Sequence, residues 1–172
     1  DDDVIYPPMA VEHLLRSHQR HPESIIGNRC HKMEIDRDGL FSPYSAWKRE
    51  ARTPKPSLLL LPTGAGGVLY PPGFFSRPMV TNVEEILAVA PYADDLWLKF
   101  CALAHSVPTF ATELSHKADW YHRYTPTTLE GTLMATNVDL GLNDVQVLRC
   151  ADWLTRFKPD WRSRLMADRA VA

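Results

Sequence analysis

The 172-residue sequence has few of the devices that staple or anchor a chain. Its three cysteines, Cys30, Cys101 and Cys150, are widely separated and odd in number, and no C-x-x-C pair occurs. That argues against a disulfide framework and against a structural zinc site, and it points to reduced thiols in a cytoplasmic protein. The longest strongly apolar run, "LLLL" at 58–61, is far too short to cross a bilayer. Charge of neither sign dominates: 19 Lys and Arg against 21 Asp and Glu leave a formal net charge of -2. Nucleic acid is therefore not an expected partner, and nothing in the charge favours an anionic membrane. Internal repeats and low-complexity tracts are also lacking.

What is present is the composition of a soluble globular domain, 45% apolar and 23% charged. Proline and glycine divide it into short units. "VIY" reads as a strand stopped by Pro7 and Pro8, and Met9–Gln19 has apolar residues at Met9, Val11, Leu14 and Leu15, a helical spacing. "SIIGNRCHKMEI" reads as one or two strands, "RDG" at 37–39 as a turn and "YSAWKREA" as a short helix. The basic stretch "KREARTPKP" at 48–56 reads as a solvated loop, the alternative being contact with a phosphate or an acidic surface. "PSLLLLPTGAGGVLYPPGFF" holds two apolar runs around a glycine-rich turn, as for strands buried on both faces of an α/β sheet. "TNVEEILAVA" reads as a helix capped by Thr81 or Asn82, and "ADDLWLKFCALAH" as an apolar helix opened by two aspartates. "VPTFATEL" is strand-like, 119–131 irregular, and "LNDVQVLRCADWLTRF" a final amphipathic helix with Val145, Leu148, Ala151, Trp153 and Leu154 on its apolar side. The expectation is one α/β domain over residues 1–172.

Three segments carry chemistry. In "DDDVIYPP" an extended backbone would point Asp1 and Asp3 to one face, where their carboxylates suit a hard divalent cation such as Mg²⁺ or Mn²⁺. The bland alternative is a solvated acidic tail. "TGAGGVLYPP" allows close backbone approach, but it lacks the Gly-Lys-Ser/Thr of a Walker loop and does not open a helix as a dinucleotide fingerprint would. It is either a tight turn between buried strands or the backbone-lined wall of a pocket. In "PYADDLWLK" a carboxylate at a helix start could act as general base on a hydroxyl, or serve only as a cap and first-turn acid.

Taken in order, "DDDVIYPP", "TGAGGVLYPP" and "ADDLWLK" resemble a bacterial family of family-2-like glycosyltransferases with the GT-A fold. The resemblance runs from residue 1 to about residue 105. It implies that Asp1 and Asp3 form a D-x-D motif holding Mn²⁺ or Mg²⁺ against the diphosphate of a nucleotide-sugar donor. Gly66 and Gly67, with Tyr70 and Trp97, would border donor sugar and acceptor. Asp95, or else Asp94, would deprotonate the hydroxyl of a saccharide or glycoconjugate acceptor, with inversion at the anomeric carbon. His105, His116 and His122 are all candidates for a further metal ligand. The parent enzyme would work in polysaccharide synthesis in the cytoplasm or at the inner face of the membrane, since acceptors of such enzymes include lipid-linked ones.

In the family the D-x-D lies well inside the chain, behind a half that grips the nucleotide. The resemblance therefore implies a partial GT-A-type sheet flanked by helices, with the N-terminal nucleotide-binding half missing. Such an acceptor-side portion is expected to bind sugar nucleotides poorly and turn over little by itself. Two other classes compete: a metal-dependent phosphoesterase and a non-catalytic carbohydrate- or partner-binding module. The first is disfavoured because no close pair such as H-x-H or H-D occurs; the second would draw on the five tryptophans and six tyrosines as stacking surfaces.

Overall fold

A computed structural model describes residues 4–116, 122–123, 137 and 141–171. The strands are β1 (Val4–Ile5), β2 (Ile25–Gly27), β3 (Cys30–Lys32), β4 (Leu60–Pro62), β5 (Val68–Leu69), β6 (Thr109–Ala111) and β7 (His122–Arg123). The helices are α1 (Ala10–Arg20), α2 (Arg77–Val80), α3 (Val83–Val89), α4 (Asp94–Ala104), α5 (Leu142–Phe157) and α6 (Trp161–Val171). The architecture is mixed α/β. The β-branched pair Ile25–Ile26 is buried, and β2 accordingly takes the centre of a three-stranded sheet, antiparallel to β5 and parallel to β6. β3 and β4 form an antiparallel pair, joined to the central sheet where Ser57 and Thr109 exchange two backbone hydrogen bonds of 2.9 Å. β1 pairs antiparallel with β7, Ile5 lying opposite His122.

Between β2 and β3 the chain leaves the central sheet at Asn28 and Arg29. Asn28 is fully buried and its amide is satisfied on both sides: Nδ2 donates to the Ala10 carbonyl at 3.0 Å, and Oδ1 accepts from Thr112 Oγ1 at 2.9 Å. That one side chain ties the start of α1 to the ends of β2 and β6.

The main core gathers Met33, Leu59 and Leu61 with the inner faces of α4, α5 and α6, where Trp97 and Trp153 pack 4.7 Å apart. A smaller cluster of Leu14, Ile26 and Phe110 seats α1. Burying Leu59, Leu61 and Phe100 completely is worth about 2 kcal/mol each, so this core anchors α4 firmly. Asn82 caps α3 by accepting from the Glu85 N–H at 3.3 Å, as its place before the acidic first turn predicts.

Several details differ from expectation. Helix α1 forms, but it buries Ala10, Leu14 and Ser17, while Met9, Val11 and Leu15 face solvent. Helix α5 has the expected bounds, yet Val145 and Leu148 are exposed and the buried stripe runs through Asn143, Gln146, Val147, Cys150, Ala151, Trp153 and Leu154. Nor is α5 final, because α6 follows it and buries Trp161 and Leu165. "YSAWKREA" gives only the 3₁₀ turn Tyr44–Ala46. The two apolar runs flanking the glycine-rich turn both hold strands, but β4 is buried throughout whereas β5 is only half-buried; β4 pairs with β3, and β5 with β2. Among the described residues no helix is long and apolar enough to cross a membrane.

Candidate functional site

The glycine-rich segment and the acidic pair meet. After β4, Gly64–Gly66 makes a 3₁₀ turn, and the Gly64 N–H donates to Asp95 Oδ1 at 2.8 Å. Neither aspartate caps its own helix: Ala93 occupies the N-cap position of α4 without a side-chain bond, and Asp94 and Asp95 fall in the first turn. Asp94 is exposed and Asp95 half-buried. The Asp95 carboxylate is thus committed across the fold to a backbone turn 31 residues away.

Two glycines are required there by geometry. A Cβ on Gly66 would stand 2.3 Å from Arg29 Cβ and 2.8 Å from its backbone nitrogen, so only glycine fits. Gly67 has φ +81°, in the left-handed region where a side chain is strained. Both therefore serve the close approach of the turn to the β2–β3 break, and Gly66 is buried by it. Tyr6 also holds the turn, its hydroxyl donating to the Ala65 carbonyl at 3.2 Å.

Burial pushes the Asp95 carboxyl up to about 6, and the charge of neighbouring Asp94 adds to the rise. The Gly64 N–H and the Arg29 guanidinium act the other way and favour the ionised form. The outcome is a carboxylate that is mostly ionised at neutral pH yet more basic than an ordinary aspartate, as general-base chemistry requires. Tyr70 follows β5 and is half-buried; burial, Asp95 and Asp94 all resist loss of its phenolic proton, so it remains a neutral hydroxyl. Tyr44 is also held neutral by burial, with Arg29 acting against that and Asp95 adding to it.

Trp97 lies elsewhere. It is 2% exposed, packs on Trp153 and donates its indole N–H to the Val80 carbonyl at 3.1 Å, which makes it part of the core rather than the wall of a site. A helix places residues 95 and 97 on different faces, so an aspartate turned to the glycine loop turns this tryptophan inward. Asp1 and Asp3 lie outside the described residues, so the expected metal pair has no described geometry. His105 sits at the far end of α4, about 15 Å from its start, where Nε2 accepts from the Ser76 N–H at 3.2 Å. His116 ends a 3₁₀ turn, and His122 lies in β7 opposite Ile5 on the strand that follows the aspartate run. Among the described residues no group of three His, Cys, Asp or Glu side chains could hold a metal ion.

Sequence reading missed the residues around Arg29. The Arg29 side chain is mostly buried; Nε donates to Glu50 Oε1 at 3.2 Å and Nη1 to Thr63 Oγ1 at 3.0 Å. Glu50 has φ 51°, a left-handed conformation that costs a non-glycine residue about 1 kcal/mol. It is held there by the buried His31, whose Nδ1 accepts from the Glu50 N–H at 3.2 Å. An available signal was the arginine itself, a full charge set between two apolar strand segments in "SIIGNRCHKM". The expected solvated loop at 48–56 thus contributes an acid to the site and buries Ala51 and Thr53.

The three cysteines are free and buried, and burial pushes each thiol up to about 12. None is a nucleophile at neutral pH. What the site offers is a carboxylate of raised proton affinity, a mostly buried guanidinium, neutral phenols and a glycine-rich backbone turn. No family model, curated protein or solved structure matches the chain.

Proposed function

We propose that this chain carries the acceptor-side residues of a metal-dependent, inverting glycosyltransferase of the GT-A type, with Asp95 as the base. One observation carries the reading: Asp95, the second acid of "ADDLWLK", is held by Gly64 of "TGAGGVLYPP" and is raised to about 6. Two of the three segments behind the family resemblance therefore converge on one carboxylate. In the reaction Asp95 takes the proton of an acceptor hydroxyl, and the oxygen attacks the anomeric carbon of the donor. The bond from that carbon to the nucleoside diphosphate breaks, the diphosphate leaving with the electron pair. The glycine backbone and neutral Tyr70 border the acceptor.

The donor set at the chain's start fits Mn²⁺ or Mg²⁺ in chemistry, being carboxylate oxygens. Asp1 and Asp3 would hold the cation, and His122 is the histidine whose strand runs beside the one that follows them. When bound, such a cation supplies neutralisation of charge on the diphosphate.

The test is manganese-dependent hydrolysis or transfer of a UDP- or GDP-sugar by the intact protein. Asp95→Asn is expected to lower kcat about 100- to 10,000-fold, and Asp3→Ala to remove the metal dependence. The rate should climb as pH rises through about 6, where Asp95 loses its proton. Turnover unchanged in Asp95→Asn would refute the assignment. Phosphatase activity on a simple ester, without a sugar nucleotide, would favour the phosphoesterase class instead.

A further inference from the structure

Arg29 stands where the chain leaves the central sheet, and its surroundings do more than neutralise a charge. Its guanidinium reaches in two directions, Nε to Glu50 and Nη1 to Thr63. Backbone contacts reinforce the second of these, with the Thr63 N–H donating to the Arg29 carbonyl at 2.9 Å. The residue after Thr63 is Gly64, whose N–H holds the Asp95 carboxylate. Gly66 then lies directly against Arg29, at a distance that excludes any side chain. The turn is therefore clamped between Arg29 on one side and Asp95 on the other.

We propose that Arg29 is the positioning residue of the Asp95 site: it grips Thr63 so that the Gly64 N–H is aimed at the carboxylate, and Glu50 sets how much of its charge Asp95 feels. The proposal rests on reading Asp95 as the base. The groups that act on Asp95 electrostatically are Asp94 on the same helix and Arg29 from the β2–β3 break, while Tyr44, Tyr70 and Cys30 lie within its field. Arg29 is the cation of that set. Its geometry depends on Glu50, and the Glu50 turn is fixed in turn by His31 and by the Ala51 N–H, which donates to the Cys30 carbonyl at 2.8 Å.

The experiment is a carbon-13 NMR titration of the Asp95 carboxyl in the 172-residue chain, its resonance identified by loss in Asp95→Asn. In Arg29→Met the Asp95 midpoint is expected to rise by about one pH unit. Arg29→Lys, which keeps the charge but not the two-way fork, should fall between Met and the parent. Glu50→Gln, which leaves Arg29 in place and removes its competing acid, should move the midpoint down. A midpoint unchanged in both Arg29→Met and Glu50→Gln would overturn the proposal; if the Met variant does not fold, an unchanged midpoint in Glu50→Gln alone overturns it. This readout needs no turnover. The assignment of Asp95 as base fails separately, when Asp95→Asn keeps full transferase activity.

Discussion

Asp95 and Lys99 stand one helical turn apart on α4, and they show two fates of an ionisable group taken out of water. Asp95 is half-buried and provided for: a backbone N–H from Gly64 meets its carboxylate, and Arg29 lends it a favourable charge. Lys99 is 1% exposed, and among the described residues its ammonium bonds to Thr109 Oγ1, at 3.5 Å. Burial lowers Lys99 from 10.5 to about 7, with Cys30 and Asp168 acting weakly in the opposite direction. Asp168 is itself committed to the Ser57 hydroxyl and the Leu58 N–H. Burial moves both groups toward their neutral forms. The difference lies in the partners, which preserve a usable charge at the first position and leave the second to be neutralised. Asp95 keeps its charge through partners brought from elsewhere in the fold, whereas the poorly partnered amine of Lys99 is a cost to stability.

The contrast can be broken most severely at the turn. Gly66→Ala would drive a methyl group into Arg29, and a rigid backbone contact leaves it no room. A loss of about 3 kcal/mol is expected in denaturant unfolding. The Asp95 midpoint should also shift, because the turn that carries Gly64 must move. An unaltered unfolding midpoint would mean that the clamp is loose.

At the other position the sign reverses. Lys99→Met keeps the volume and removes the buried amine, so it should stabilise the protein at neutral pH. The fall in proton affinity sets a ceiling of about 5 kcal/mol, and about 2 kcal/mol is expected. Since the folded value lies below the unfolded one, the unfolded chain binds the extra proton between about pH 7 and 10.5. Stability of the parent therefore rises with pH across that window. The advantage of Lys99→Met is full below pH 7 and fades toward 10.5. Urea unfolding at pH 6.5 and 9.5 checks this, and a variant less stable at both would show that the amine is better satisfied than its long contact with Thr109 implies.

The smallest effect is reserved for a control. Asn82→Ala removes the cap of α3 and should cost about 1 kcal/mol, read as a shift in unfolding midpoint. The Asp95 titration should stay where it is, since this cap touches neither Arg29 nor the turn. Movement of that titration would mean that general loosening, rather than the clamp, controls the carboxylate.

Much of the fold was legible because its signals are local. Asn82 before two glutamates announces a helix start, Pro and Gly mark the ends of β4 and β5, and the bounds of α5 match its apolar spacing. The faces were less legible. In α1 the stripe Met9, Val11 and Leu15 is as apolar as the one that is buried, and contact of Leu14 with Ile26 and Phe110 decides between them. The inward signal of α6 is sparse in the sequence, with Trp161 and Leu165 buried among charged neighbours. At the site, the sequence points to Asp95, Gly66 and Gly67 through the segments in which they stand, "ADDLWLK" and "TGAGGVLYPP". Trp97 packs in the core instead, and aromatic character does not say which way a helix turns a side chain.

By itself the sequence determined most of the elements and their turns, since capping, glycine freedom and apolar spacing act over a few residues. Only the tertiary structure decided that Asp95 would be a basic carboxylate. Its proton affinity is set by burial, by Gly64 and by Arg29, groups remote in the chain that meet only when β2, β4 and α4 pack together. Electrostatic energy depends on distance through space and on exclusion of water, and neither is written in the local order of residues.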